Sequence, residues 1–253
     1  IFGKNIEIMK KKAIYVERKK KKKIDVNMGC PMPKITKNGY GAALLSDPQH
    51  ARELMFTLRE SLKPETDLSM KIRVGYGEHK NPIYFAKLAE ELKLCHITVH
   101  GRTREQMYSG FANWETIKEI KESVSIPVIG NGDIFTAKDA IEKVEFSGVD
   151  GIMLARGIFG NPWLVGQIRD AFNGKDIIEP SFDDKIDLAI KHISYVKEDR
   201  PDKEFYYEIR KHLCWYIKGM KKAASIKDEI NKTDSYDKLI ELFERLRELN
   251  KNN

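Results

Sequence analysis

Hydrophobic positions along this chain change their spacing several times, and each change marks an element. Ile6, Met9, Ala13 and Val16 recur at helical spacing, which predicts a helix over 5–20 feeding a short strand at 24–27. Asp47 stands as an N-cap with Pro48 at the first helical position, and Leu54, Met55, Leu58 and Leu62 form the apolar stripe of a helix ending near Lys63 and Pro64. Residues 68–74 alternate as a strand. Asn81 and Pro82 open a helix carrying Ile83, Phe85, Ala86, Leu88, Ala89 and Leu92, and 95–100 is again a strand. Trp114, Ile117 and Ile120 mark the next helix, followed by a strand at 126–129, a helix at 136–144, a strand at 149–154 and a helix from Asn161. After Ser181 only helical stripes remain: Ile186, Ala189, Ile190 and Ile193; Phe205, Ile209, Leu213 and Ile217; Tyr236, Leu239, Ile240, Phe243 and Leu246.

Five strand–helix units without a hairpin signal require parallel strands joined by right-handed crossovers, so the fold class is α/β. A doubly wound sheet and a (β/α)₈ TIM barrel both satisfy that alternation. The polar positions favour the barrel. Ser69, Lys71 and Arg73 share one face against Leu68, Met70, Ile72 and Val74; His96, Thr98 and His100 oppose Ile97 and Val99; Asp25 and Asn27 oppose Ile24 and Val26. Three successive strands thus aim polar groups to one side near their C-terminal ends, where barrels place their sites. The expected organisation is a barrel domain over residues 1–175 and an all-α domain over 181–250.

Composition narrows this reading only slightly. The net charge of +7 is local: residues 1–23 hold ten Lys/Arg against Glu7 and Glu17, and the remainder is nearly neutral. A run such as Arg18 to Lys23 is usually a solvated helix end, so global basicity does not by itself indicate a nucleic-acid partner. No apolar run approaches the roughly 18 residues of a membrane span. Cys30, Cys95 and Cys214 are odd in number and far apart, which argues for a reducing compartment, here the cytoplasm, and against a disulfide framework or a structural metal.

Three stretches carry candidate chemistry. Cys30 lies between Gly29 and Pro31 at the end of the first strand, with Gly39 and Gly41 close behind it, a placement that presents a thiol to a ligand; a small buried cysteine in a tight turn is the plainer alternative. Gly130-Asn131-Gly132-Asp133 and Ala155-Arg156-Gly157 follow the last two strands, where barrels take phosphate on backbone N–H groups and an arginine. The helical region carries Arg210, Lys211, His212, Trp215, Tyr216, Lys218, Lys221 and Lys222, basic side chains interleaved with aromatics that suit a phosphate backbone and a stacked base; a bundle with Trp215 in its core is the alternative.

Taken in order, residues 24–34, 38–45, 71–73, 99–110, 127–133, 150–157, 160–163 and 210–212 with Trp215 and Tyr216 resemble the flavin-dependent tRNA-dihydrouridine synthases, particularly the bacterial B-type branch. The resemblance implies an FMN-binding barrel, a helical tRNA-binding domain and NADPH as reductant; the oligomeric state does not follow from the sequence, a monomer being the default expectation. It implies Cys30 as proton donor and Lys71, His100, Asn131, Gly132, Asp133, Ala155 and Arg156 as flavin contacts; the basic and aromatic residues Lys34, Arg210, Lys211, His212, Trp215 and Lys218 are the expected RNA contacts. A thiol is mostly protonated at neutral pH and can supply a proton to C5 of uracil, while Lys71 and His100 are expected to meet the negative charge of reduced flavin. The chain departs from the family in three places. Ile1, Phe2 and Gly3 resemble the tail of the family's third strand, so about five strands of eight are expected here; Ala155 stands where glycine is usual; and lysines 19–23 occupy the start of an apolar strand. Another FMN barrel of the dihydroorotate-dehydrogenase kind, or an RNA-binding protein without flavin, would share part of this pattern.

Overall fold

The computed structural model describes residues 1–200 and 204–250. The chain divides into two compact units, the first comprising 1–134 and 138–155, the second 135–137 together with the described residues from Arg156 onward. The helix over 161–175, which the sequence pattern grouped with the barrel, clusters with the second unit.

In the first unit, α1 (Ile6–Arg18) precedes β1 (Lys23–Met28), a single turn α2 (Pro33–Thr36) and a 3₁₀ segment (Gly41–Ser46), then α3 (Pro48–Ser61), β2 (Asp67–Arg73), α4 (Pro82–Glu91), β3 (His96–His100), α5 (Trp114–Ser123), β4 (Val128–Asn131), α6 (Ala137–Ser147) and β5 (Gly151–Met153). Side chains start these helices as their types require: Asn5, Asp47, Asn81 and Asn113 accept N–H bonds from residues three further on. The five strands are parallel and lie in the order β1-β2-β3-β4-β5. Unbroken sequential order is the arc of a (β/α) barrel, because a doubly wound sheet reverses its strand order at a switch point. On the outer edge of β1, the Ile1 nitrogen donates to Asp25 O (2.7 Å) and Asn27 N–H donates to Ile1 O (2.9 Å), the bonding pattern of a parallel bridge straddling Val26.

Ile24, Val26, Met28, Leu68, Met70, Ile72, Ile97 and Val99 are buried, as are Met9 and Ala13 of α1, Leu54, Met55 and Leu58 of α3, Phe85 and Leu88 of α4, and Ile117 and Ile120 of α5. This sheet face therefore belongs to the core, and the opposite parity is left for polar chemistry. One strand is displaced from its expected position. β4 begins at Val128 rather than 126, since Pro127 has no N–H for the ladder, and it extends to Asn131, so Gly130 and Asn131 belong to the strand and not to the turn after it. The short α2 and the 3₁₀ segment had no periodic signal, since neither is longer than two turns.

The second unit holds a 3₁₀ turn (Arg156–Ile158), α7 (Leu164–Phe172), α8 (Phe182–Asp199), α9 (Glu204–Tyr216), α10 (Ala223–Lys232) and α11 (Tyr236–Asn250). A capping box joins Ser181 and Asp184 at the start of α8. Ile186, Ala189, Ile193, Ile209, Leu213, Ile217, Leu239, Phe243 and Leu246 form its core as their spacing predicts, while Ile190, Tyr236 and Ile240 are only partly buried, and the side chain of Phe205 lies outside what the structure describes. The sequence pattern missed α10, which contributes just Ile226 and Ile230 to the core and follows Lys222 in the left-handed region. Among the described residues no helix is long and apolar enough to cross a membrane.

Candidate active site

Asn27, the penultimate residue of β1, turns the chain at its end. Its Oδ1 accepts the N–H groups of both Gly29 and Cys30 at 3.0 Å, an Asx-type turn that fixes the backbone carrying the thiol. On the far side, Ala42 N–H donates to Cys30 O (3.0 Å), and a Cβ at Gly41 would lie 2.9 Å from the Cys30 Cβ, so only glycine permits this approach. Arg73 grips the same loop through Nε–H to Gly29 O (2.9 Å). Cys30 is consequently a half-buried free thiol on backbone held from three directions. The plain alternative of a cysteine sealed in a turn does not describe it.

Lys71 and His100 lie on neighbouring strands, Lys71 opposite Thr98 and Arg73 opposite His100 in the parallel register. Burial, with the Arg73 cation nearby and only partial relief from Asp25, pulls the Lys71 ammonium down to about 8. His100 is 8% exposed, and burial together with Arg73 and Lys71 lowers its pKa to about 3. It is therefore neutral at any physiological pH. Asn131 Nδ2 donates to Met153 O (2.7 Å), which turns its Oδ1 toward His100, so His100 Nδ1–H is the donor in the 2.8 Å bond between them. Nε2 is left as a buried acceptor with no partner, as is the Thr98 hydroxyl. The expectation that His100 donates to a negative charge is corrected here: its free nitrogen is an acceptor, and of these two residues only Lys71 carries charge to that face.

Asp133 does not offer its carboxylate to the open side. Both oxygens receive Arg102 Nη2–H (2.8 and 2.7 Å), and Ala112 N–H adds a third bond at 2.7 Å. Arg102 is 2% exposed, also donates to Ser109 O and Gly110 O, and keeps Nη1 buried without a partner. Gly132 has φ +130°, and a Cβ there would come within 2.6 Å of the Ala112 methyl, so glycine is what lets the 101–112 loop close onto the end of β4. Arg73 fastens that loop from the opposite side through Thr103 O (2.8 Å) and Met107 O (3.0 Å). Arg73, Arg102, Asn27 and Thr98 thus join the candidate site, beyond the residues that the sequence motifs single out. The strand parity that pointed to Lys71 and His100 also pointed to Asn27, Arg73 and Thr98, whereas nothing in the spacing distinguished Arg102.

Ala155 follows β5 and is exposed, and Arg156 opens the second unit with its guanidinium 5.9 Å from the Phe135 ring. Lys34 is exposed on α2 in the first unit. On α9, Lys211 points to solvent, while His212 packs between Phe159 and His192. The Arg210 guanidinium donates to Thr233 O and lies over Tyr206, tying α9 to the end of α10. Trp215 is 42% exposed, not a core residue, and rests on Phe159 with the Lys218 ammonium over its ring. α9 ends at Tyr216, so Lys218, Lys221 and Lys222 lie in the turn beyond it rather than on the helix. Trp215, Phe159, Phe182, Lys185 and Lys218 are among the residues lining a cavity of about 360 Å³. Among the described residues no cluster of His, Cys, Asp and Glu suits a metal.

The family model described as Dihydrouridine synthase (Dus) matches residues 1–251 of this chain. A probable tRNA-dihydrouridine synthase of Rickettsia conorii is 36% identical over 234 residues, covering 90% of this chain and 70% of its own length. A probable tRNA-dihydrouridine synthase 1 of Synechocystis is 36% identical over 84% of this chain and 59% of its own, and tRNA-dihydrouridine synthase B of Pasteurella multocida is 34% identical over 87% and 66%. The chain therefore spans between 59% and 70% of the length of these relatives. Among solved structures, N-acetylneuraminate lyase from Mycoplasma synoviae aligns over 98% of this chain and 92% of its own, at 15% identity and a TM-score of 0.46.

Proposed function

Because this chain belongs to the dihydrouridine synthase family, we propose that it reduces uridines of tRNA to 5,6-dihydrouridine, with FMN as cofactor and NADPH as reductant, as a cytoplasmic monomer. The observation that carries the reading is the polar face of the sheet, which bears the Lys71 ammonium and the partnerless Thr98 hydroxyl and His100 Nε2, with the free Cys30 thiol on the loop that leaves the C-terminal end of β1. Orphaned buried polar atoms cost free energy unless a ligand meets them, and the edge of a flavin ring presents N–H and carbonyl groups of the matching kinds. The residues therefore fit the group. Lys71, Thr98 and His100, the last held by Asn131, would hold the ring, Gly132 would let it approach the backbone, and Ala155 and Arg156 follow β5 where barrels take phosphate.

When bound and reduced by NADPH, FMN would supply the hydride that C6 of uracil accepts. The C5=C6 bond is conjugated to the C4 carbonyl, so hydride addition leaves an enolate whose C5 needs a proton. Cys30 Sγ–H gives that proton, and the half-buried thiol regains one from solvent. Asn27 and Arg73 aim the thiol by holding the backbone on either side of Gly29. Lys211, Trp215 and Lys218 supply charge and a stacking face for tRNA, and Lys34 adds a cation in the first unit. Arg210 acts indirectly, by bracing α9.

Purified protein incubated with NADPH and an unmodified tRNA transcript is expected to show flavin absorption and to convert uridine to dihydrouridine, read by mass spectrometry of the digested RNA. Flavin without dihydrouridine would redirect the reading to a small-molecule reductase, and tRNA binding without flavin to an RNA-binding protein. A further expectation concerns pH. Lys71 is charged below a pKa of about 8 and loses that charge above it, so affinity for the anionic reduced flavin should fall several-fold as pH rises through 8. Lys71→Arg should flatten the profile, because guanidinium stays charged; a fall that persists in this variant assigns the titration elsewhere.

A further inference from the structure

Phe111 is 88% exposed, the most solvent-accessible large hydrophobic side chain among the described residues, yet the backbone on both sides of it is held by hydrogen bonds. The carbonyls of Ser109 and Gly110 just before it accept from the buried Arg102 guanidinium at 3.0 and 2.7 Å, and the N–H of Ala112 just after it donates to Asp133 at 2.7 Å. Asn113 N–H closes the loop on Gly101 O. An exposed phenyl ring costs solvation, and a mobile loop would let it fold back onto the surface. Here a buried ion pair holds it outward. Tyr108 on the same loop is also exposed, but it stacks over the Arg73 guanidinium, whereas the Phe111 ring has no ring or cation partner among the described residues.

The loop's other anchors lead to the reaction site. Arg73 binds Thr103 O and Met107 O of this loop and Gly29 O beside Cys30, and Asp133 stands two residues beyond Asn131, the partner of His100. We propose that Phe111 is a stacking platform for an RNA base, taking the nucleobase next to the uridine that leaves its stack to reach Cys30. This rests on the proposed tRNA substrate. Every base has a π-face, so a single aromatic side chain can serve any sequence, and unstacking one nucleotide exposes a neighbour's face that needs a cover. Rigid presentation means that little ordering entropy is lost on binding.

The test measures the affinity of an unmodified tRNA transcript for the 253-residue protein and its variants across a salt series. Phe111→Ala is expected to weaken binding about tenfold or more with an unchanged salt slope, since no phosphate contact is removed, while Phe111→Trp keeps wild-type affinity. Thermal unfolding of both variants should match wild type, because the ring is solvent-exposed. Equal affinity of Phe111→Ala and wild type would overturn the inference and leave the ring to solvent or a protein partner. Absence of tRNA binding by the wild-type protein itself would overturn the proposed function and this inference together, so the two failures are distinguishable.

Discussion

Cys30→Ala should lower dihydrouridine formation by roughly 10²–10⁴-fold while leaving flavin content and tRNA affinity unchanged, because the substitution removes a proton donor and nothing that binds. The structure makes this variant informative. The Cys30 backbone is held by Asn27 Oδ1, by Ala42 N–H and, through Gly29 O, by Arg73, and none of these bonds involves the side chain. Alanine therefore sits on an unaltered loop. Asn27→Ala should move the thiol instead of deleting it, so the pair separates chemistry from placement. Undiminished turnover in Cys30→Ala would remove the thiol from the mechanism and require another donor on the same face.

Much of this arrangement is legible in the sequence. Period-2 alternation in β1, β2 and β3 put Asp25, Asn27, Ser69, Lys71, Arg73, Thr98 and His100 on one side, and the structure keeps them there, with Ser69 Oγ–H donating to Asp25 across the first pair. Parity survives small errors of boundary, which is why the faces were right even where β4 was displaced. What side chains do with their charge was less legible. Asp133 and Arg210 have residue types that suit a ligand, yet one is consumed by Arg102 and the other by the Thr233 carbonyl. Those partners are 31 and 23 positions away in the chain and follow no local period. Likewise the neutral state of His100 depends on burial beside Arg73 and Lys71, a sum of environments that no motif encodes.

The buried pair at the base of the 101–112 loop should govern stability as well as site geometry. Asp133→Ala would remove three hydrogen bonds and leave the Arg102 guanidinium, 2% exposed, without a counter-charge. Breaking a buried pair from one side costs about 3–5 kcal/mol, a large share of the 5–15 kcal/mol that usually separates folded from unfolded chains. For a chain of this size that corresponds to a fall in unfolding temperature on the order of 10 °C. Replacing both members, as in Arg102→Met with Asp133→Leu, removes the uncompensated charge and should recover much of the loss, since apolar substitutes for a buried ion pair are often neutral. The recovery would be partial, because Ser109 O, Gly110 O and Ala112 N–H would still lack their partners. If Asp133→Ala instead unfolds at the wild-type temperature, the carboxylate is not the anchor of this loop, and a direct contact between Asp133 and the flavin becomes the better account of its position.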